Sequence, residues 1–131
     1  MQSLLCIASH RFRGTVAPET IEAKILFDAD KLDVLGAVGI ARCYIFAGEH
    51  SEKIWSDRKI EEYSRENIVG GKPGGRIKDL IKHSANIEFE TKLKHIPDRL
   101  YTTRAKEIAK DRVQVMDNFF ESLRKELANE Y

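Results

Sequence analysis

The chain has 131 residues, 42% hydrophobic and 33% charged, with a formal net charge of +1. That length and apolar fraction suit one compact domain, and 22 basic against 21 acidic residues exclude a global field that would favour nucleic acid or an anionic membrane. The two cysteines, Cys6 and Cys43, have no CxxC spacing, which argues against a disulfide framework and for a reducing, cytoplasmic setting.

Taken in chain order, Met1 to Ser9 is apolar but short and is followed at once by His10, Arg11 and Arg13. It reads as a helix end rather than a signal peptide. No run approaches the roughly 18 apolar residues that a membrane span needs. Residues 11–18 read as a loop punctuated by Gly14 and Pro18. Either Thr20 caps the run that follows or Pro18 opens it at the first turn. From Thr20 to Ala47 the sequence is apolar on nearly every helical face, which predicts a central, buried helix, with Gly36 and Gly39 as positions where it bends or divides. Residues 48–64 read as irregular, with a short helix around Asp57–Tyr63. Residues 65–76, with Gly70-Gly71 and Gly74-Gly75, read as a flexible loop. A helix is expected from Ile77 to Leu93, a break near Pro97, and a last helix from Thr103 to Ala128. The apolar stripe of that last helix is Ala105, Ile108, Ala109, Val113, Met116, Phe119, Phe120, Leu123 and Leu127.

The anomaly is Asp28-Ala29-Asp30-Lys31-Leu32-Asp33. Stepped at 100° per residue, each aspartate lies between side chains expected to be buried. An ionised carboxylate there must be paired, protonated or bound to a cation. One reading holds the three at a helix edge near solvent, paired with Lys24, Lys31 and Arg42. The other turns Asp30, with Asp28 or Asp33, into a polar cavity as a ligand for a hard or borderline metal.

These residues also carry a family resemblance. EAKILFDADKLDVLGAVGIAR, Glu22 to Arg42, is similar to the stretch bearing the last metal-binding Asp of HD-domain metal-dependent phosphohydrolases. ASHRFRG, Ala8 to Gly14, resembles the short His-containing segment before it in the small bacterial and archaeal branch. KLKHIPDRLYTTRAKEIAKDRVQVMDNFFESL resembles that branch's two C-terminal helices. The resemblance implies an all-α, HD-domain-like helical bundle, one domain over residues 1–131, that lacks the family's N-terminal helices. It implies hydrolysis of a nucleotide or other phosphate ester with a divalent metal, Mn, Mg, Zn or Fe being indistinguishable. Asp30 matches the metal ligand and, with His10, the catalytic pair. Lys31 and Arg13 match substrate-phosphate positions, and Asp28 and Asp33 match supporting residues.

The family pattern also calls for an upstream His and a His-Asp dipeptide. None of His10, His50, His83 and His95 precedes an aspartate. The expectation is therefore a chain that is incomplete or inactive alone. The alternative is a non-catalytic ligand-binding or interaction remnant that associates with itself or with a separately encoded N-terminal partner. The remaining features have plain readings. His83 and His95 read as surface or boundary histidines, and Gly70–Gly75 with Lys72 lacks P-loop spacing. Trp55 and Tyr63 read as packing residues. Arg104, Lys106, Lys110 and Arg112, interleaved with Glu107 and Asp111, read as a solvated helix face.

Overall fold

A computed structural model describes residues 17–129 of the chain. The described residues are all-α, as expected: five α-helices and two 3₁₀ segments, with isolated bridges but no named strand. They are α1 (Ile21–Leu32), α2 (Gly36–Glu49), α3 (Ile60–Asn67), a 3₁₀ turn (Leu80–Lys82), α4 (Ala85–Thr91), a 3₁₀ segment (Leu93–Arg99) and α5 (Thr103–Leu127).

Helix α5, 25 residues and so about 37 Å long at 1.5 Å per residue, is the spine. Helices α1 and α2 and the Leu93–Arg99 segment all pack on it. The core between them contains Phe27, Leu35, Phe89, Leu93, Ile96, Met116 and Phe120. A smaller cluster of Tyr63, Ile68 and Ile87 joins α3 to α4. The α5 stripe read from sequence supplies the buried Ala105, Ala109, Met116 and Phe120, while Phe119 and Leu127 remain exposed.

The expected single helix over residues 20–47 is two. Thr20 caps α1 as expected, its Oγ1 accepting from Ala23 N at 3.1 Å. The chain then turns through Asp33–Leu35 and restarts at Gly36, whose φ of +78° lies in the left-handed region that favours glycine. A Cβ at Gly36 would stand 3.0 Å from Arg112 Cγ, so the Arg112 side chain packs closely over this glycine. Arg112 Nη1 donates to Leu32 O at 2.7 Å, a second hydrogen bond to a carbonyl at the end of α1 that also accepts from Leu35 N at 3.2 Å. Arg112 is thus a cap and packing residue and not part of a solvated face. At Gly39 a Cβ would meet Val34 O at 2.2 Å, so glycine there lets α2 return tightly over the turn.

The helix expected over 77–93 is also divided. Asp79 Oδ1 accepts from Ile81 N at 3.1 Å and closes a 3₁₀ turn. Ser84 is extended, so α4 starts only at Ala85. Residues 68–77 form a loop tied at its base. Val69 N donates to Arg76 O at 2.8 Å, and Ile68 bridges Ile77.

Asp28 joins the two ends of the fold. It is 2% exposed, and its two oxygens accept from Tyr101 N at 2.9 Å and Thr102 N at 2.8 Å. These amides lead into α5, where negative charge is favoured by the helix dipole. Asp28→Ala would leave two amides without their charged acceptor. We expect a loss of about 3 kcal/mol in urea-unfolding free energy, at about 1.5 kcal/mol for each hydrogen bond to a charged group.

Candidate functional site

The Asp28–Asp33 triplet divides by role. Asp28 faces inward and binds backbone. Asp33 caps α1 on the exposed surface, its carbonyl accepting from Arg42 Nη1 at 3.2 Å. Its side chain borders a cavity of about 360 Å³ shared with Asp111 and Arg112. Asp30 is turned outward, its side chain 44% exposed, with Oδ2 3.1 Å from Lys31 Nζ. The apolar flanks predicted around Asp30 are not closed over it, because α1 is covered on one face only.

Lys31 is buried, its Nζ 5.3 Å from the centre of the Phe27 ring. Burial lowers its pKa from the usual lysine value. The hydrogen bond to Asp30 opposes this, and the nearby charges of Lys92 and Arg99 add to the lowering. Lys31, paired with Asp30, is therefore in the field of two further cations, Lys92 at the end of α4 and Arg99 in the following 3₁₀ segment. Such a group suits the oxygens of a phosphate. His10 and Arg13, expected in the same site, lie outside the described residues.

Lys92 also lines a cavity of about 640 Å³ between α2, α4 and the loop at 76–80. Asp30 and Lys31 are not among its walls. Val34, Phe46 and Leu93 provide apolar lining, and Arg42, Arg76, Lys78 and Lys92 bring positive charge against Glu52 and Glu88. Its size falls within the range for small-molecule sites. Burial raises the pKa of Glu52, and its Oε2 is buried with no hydrogen-bond partner among the described residues.

One wall of this cavity holds a polar relay that the sequence reading missed. His83 is 2% exposed, not a surface histidine. Asn67 Nδ2 donates to the Tyr63 hydroxyl at 3.0 Å, so that hydroxyl is left to donate to His83 Nδ1. His83 Nε2 then faces Glu88 Oε2 at 2.7 Å. The direction of each bond follows from the donors available. Burial pushes the Tyr63 pKa up to about 12. Trp55 and Tyr63 pack as expected: Trp55 lies against the main core and Tyr63 is fully buried. His95 is exposed, as expected, and its Nε2 lies 3.1 Å from Glu90 O.

A divalent metal does not fit the described residues by themselves. Among them, no group of three or more His, Cys, Asp or Glu side chains could hold an ion. Asp30 offers a carboxylate with a lysine beside it and no second donor group.

Cys43, on the cavity wall, has its pKa pushed up by burial to about 11, with Glu88 and Glu52 adding to the shift. A raised thiol pKa depletes the reactive thiolate. At pH 8 we expect iodoacetamide to modify Cys43 about 100-fold more slowly than a free cysteine of pKa near 8.5. The rate should climb about tenfold per pH unit up to pH 11, as read by peptide mass mapping that separates Cys43 from Cys6.

No protein-family model matches the chain. An uncharacterised Bacillus subtilis protein, YpgQ, is 33% identical over 121 residues, covering 91% of this chain and 47% of its own length. The crystal structure of YpgQ in complex with ADP aligns with TM-score 0.60 and 31% identity, over 84% of this chain and 46% of that one. A Listeria innocua protein aligns at TM-score 0.62 and 35% identity, over 83% and 48%. An HD-superfamily hydrolase from Bacillus thuringiensis aligns at TM-score 0.60 and 30% identity, over 86% and 50%. The chain spans about half the length of the relatives it matches, and the fold of that half is HD-like.

Proposed function

We propose that the chain contributes the phosphate-binding part of an HD-type, metal-dependent phosphohydrolase acting on a nucleotide or other phosphate ester. The observation that carries this reading is the cavity walled by four cationic side chains, Lys92 among them, together with the Asp30–Lys31 pair, whose lysine feels the charge of Lys92. The ADP complex of the Bacillus subtilis relative supports a nucleotide as the ligand.

In this reading Lys31 and Lys92 hold phosphate oxygens, and the apolar lining at Val34 and Phe46 accepts an uncharged part of the ligand. Lys31 is fixed by its hydrogen bond to Asp30, so little side-chain freedom remains to be lost on binding. Asp30 is the carboxylate offered to a divalent ion, with Asp33 and Asp28 setting the run of α1 on either side of it. His10 and Arg13 belong to the same proposal as charge-stabilising groups. Because the described residues provide a single carboxylate group for the ion, hydrolysis requires donors from elsewhere, and ligand binding without turnover is the activity expected of the chain alone.

Calorimetric titration with ADP tests the reading. Binding should weaken about tenfold, about 1.4 kcal/mol, in Lys31→Ala and again in Lys92→Ala. Unchanged affinity in both variants would remove the phosphate assignment. With Mn²⁺ and a chromogenic phosphate ester, the chain alone should show no hydrolysis above blank. Turnover that disappears in Asp30→Ala would show instead that it is catalytically sufficient.

A further inference from the structure

Two acids stand in the wall of the 640 Å³ cavity, and the fold treats them differently. Glu88 is paired, with Oε2 2.7 Å from His83 Nε2 and Oε1 3.8 Å from Lys92 Nζ. Glu52 Oε2 is shut off from solvent and has no hydrogen-bond partner among the described residues. A buried polar atom left without a partner is costly and rare in folded proteins. The backbone nonetheless holds Glu52 firmly. Helix α2 is capped at His50, and Ser51 takes a φ of +57°, in the left-handed region that a residue with a Cβ seldom adopts. Glu52 N donates to Ala47 O at 2.9 Å, and Lys53 N donates to His83 O at 3.1 Å. Glu52 is thus folded back over the last turn of α2. There the helix dipole and the charge of Glu88 both disfavour another anion. A strained turn that fixes an acid in an unfavourable place points to function.

The rest of the wall sets the chemistry of the ligand that this acid would meet. Arg76 and Lys78 enter from the 76–80 loop and Lys92 from the end of α4, and these suit an anionic end. Val34 and Phe46 suit an apolar ring, and the Phe46 ring is itself backed by His50, stacked at 3.9 Å and 22°. Glu52 adds a third demand, a hydrogen-bond donor. An ionised carboxylate only accepts, and its terminal torsion turns at small cost, so either oxygen can be presented to a donor in the cavity. A nucleotide with an amino group on its base has all three parts.

We infer that the cavity takes a nucleotide whose base carries an exocyclic amino group, and that Glu52 accepts a hydrogen bond from that group and sets the preference for such bases. The inference deepens the proposed function and rests on it: the cations hold the phosphates, and Glu52 reads the other end of the same ligand. The amino group supplies the donor that the fold withholds from the carboxylate.

The test is calorimetric titration with ADP and with purine riboside 5′-diphosphate, which has hydrogen in place of the amino group. ADP should bind about tenfold more tightly, the worth of one hydrogen bond to a charged acceptor. The ratio should fall to about 1 in Glu52→Ala, and to about 3 in Glu52→Gln, whose neutral carbonyl still accepts. Losing a negative charge strengthens both diphosphates alike, so the result is read from the ratio. Thermal unfolding reads the same residue without ligand. With no partner to lose, both variants should keep the unfolding midpoint or raise it. A ratio near 1 in the unaltered chain, or a tenfold ratio retained in Glu52→Ala, overturns the inference and leaves the phosphate reading standing. A midpoint lowered by about 4 °C or more in both variants also overturns it, because the carboxylate would then be committed to the fold. If neither diphosphate binds, the proposed function falls and this inference with it.

Discussion

Everything in this fold depends on how α1 is held against the start of α5, and one carboxylate holds it. Asp28 meets two successive amides more than 70 residues further along the chain. This is a long-range contact with the strength of a charge-assisted pair. It fixes where α1 lies and also its rotation about its own axis. Residues two apart on a helix point about 200° from each other. With Asp28 committed to the interior, Asp30 is therefore turned to the outside. The outward carboxylate of the candidate site is aimed by a residue that never touches a ligand. The Arg112 bond to Leu32 O secures the other end of the same helix, again from α5.

The sequence showed the anomaly clearly but not its resolution. Three aspartates in an apolar stretch demanded partners, and helical stepping put each of them between side chains expected to be buried. It could not show which one faced inward, because the partners of Asp28 are backbone amides, and amides leave no mark in composition or periodicity. The same limit explains the division of the expected 20–47 helix. Gly36 and Gly39 were visible, but the side chain packed closely over Gly36 comes from Arg112, which helical patterning had placed among solvated charges. The α5 stripe was legible because 25 residues of regular period average out local exceptions. The 77–93 segment was not, because Asp79 and Ser84 redirect the backbone within a few residues. His83 was misread for a related reason: burial of a lone histidine depends on Tyr63 and Glu88 reaching it from other turns of the structure.

The candidate site has the character of one side of a site. Its cations are present, its carboxylate is oriented, and its cavity is roomy, yet its metal donors stop at one group among the described residues. That combination is coherent with a chain about half as long as the proteins it resembles. The relay from Asn67 through Tyr63 and His83 to Glu88 gives the cavity wall a rigidity that does not depend on ligand. All its polar atoms but the carboxylate end are buried together, and a satisfied buried network specifies one arrangement.

Three exposed apolar side chains of α2 bear on how the chain behaves in bulk. With Val38, Ala41 and Ile45 turned to solvent and a net charge of only +1, little electrostatic repulsion keeps two molecules apart. Colloidal stability falls when apolar patches combine with a net charge near zero. The concentration at which the chain stays dispersed is thus a property of this surface and not of the strength of its fold.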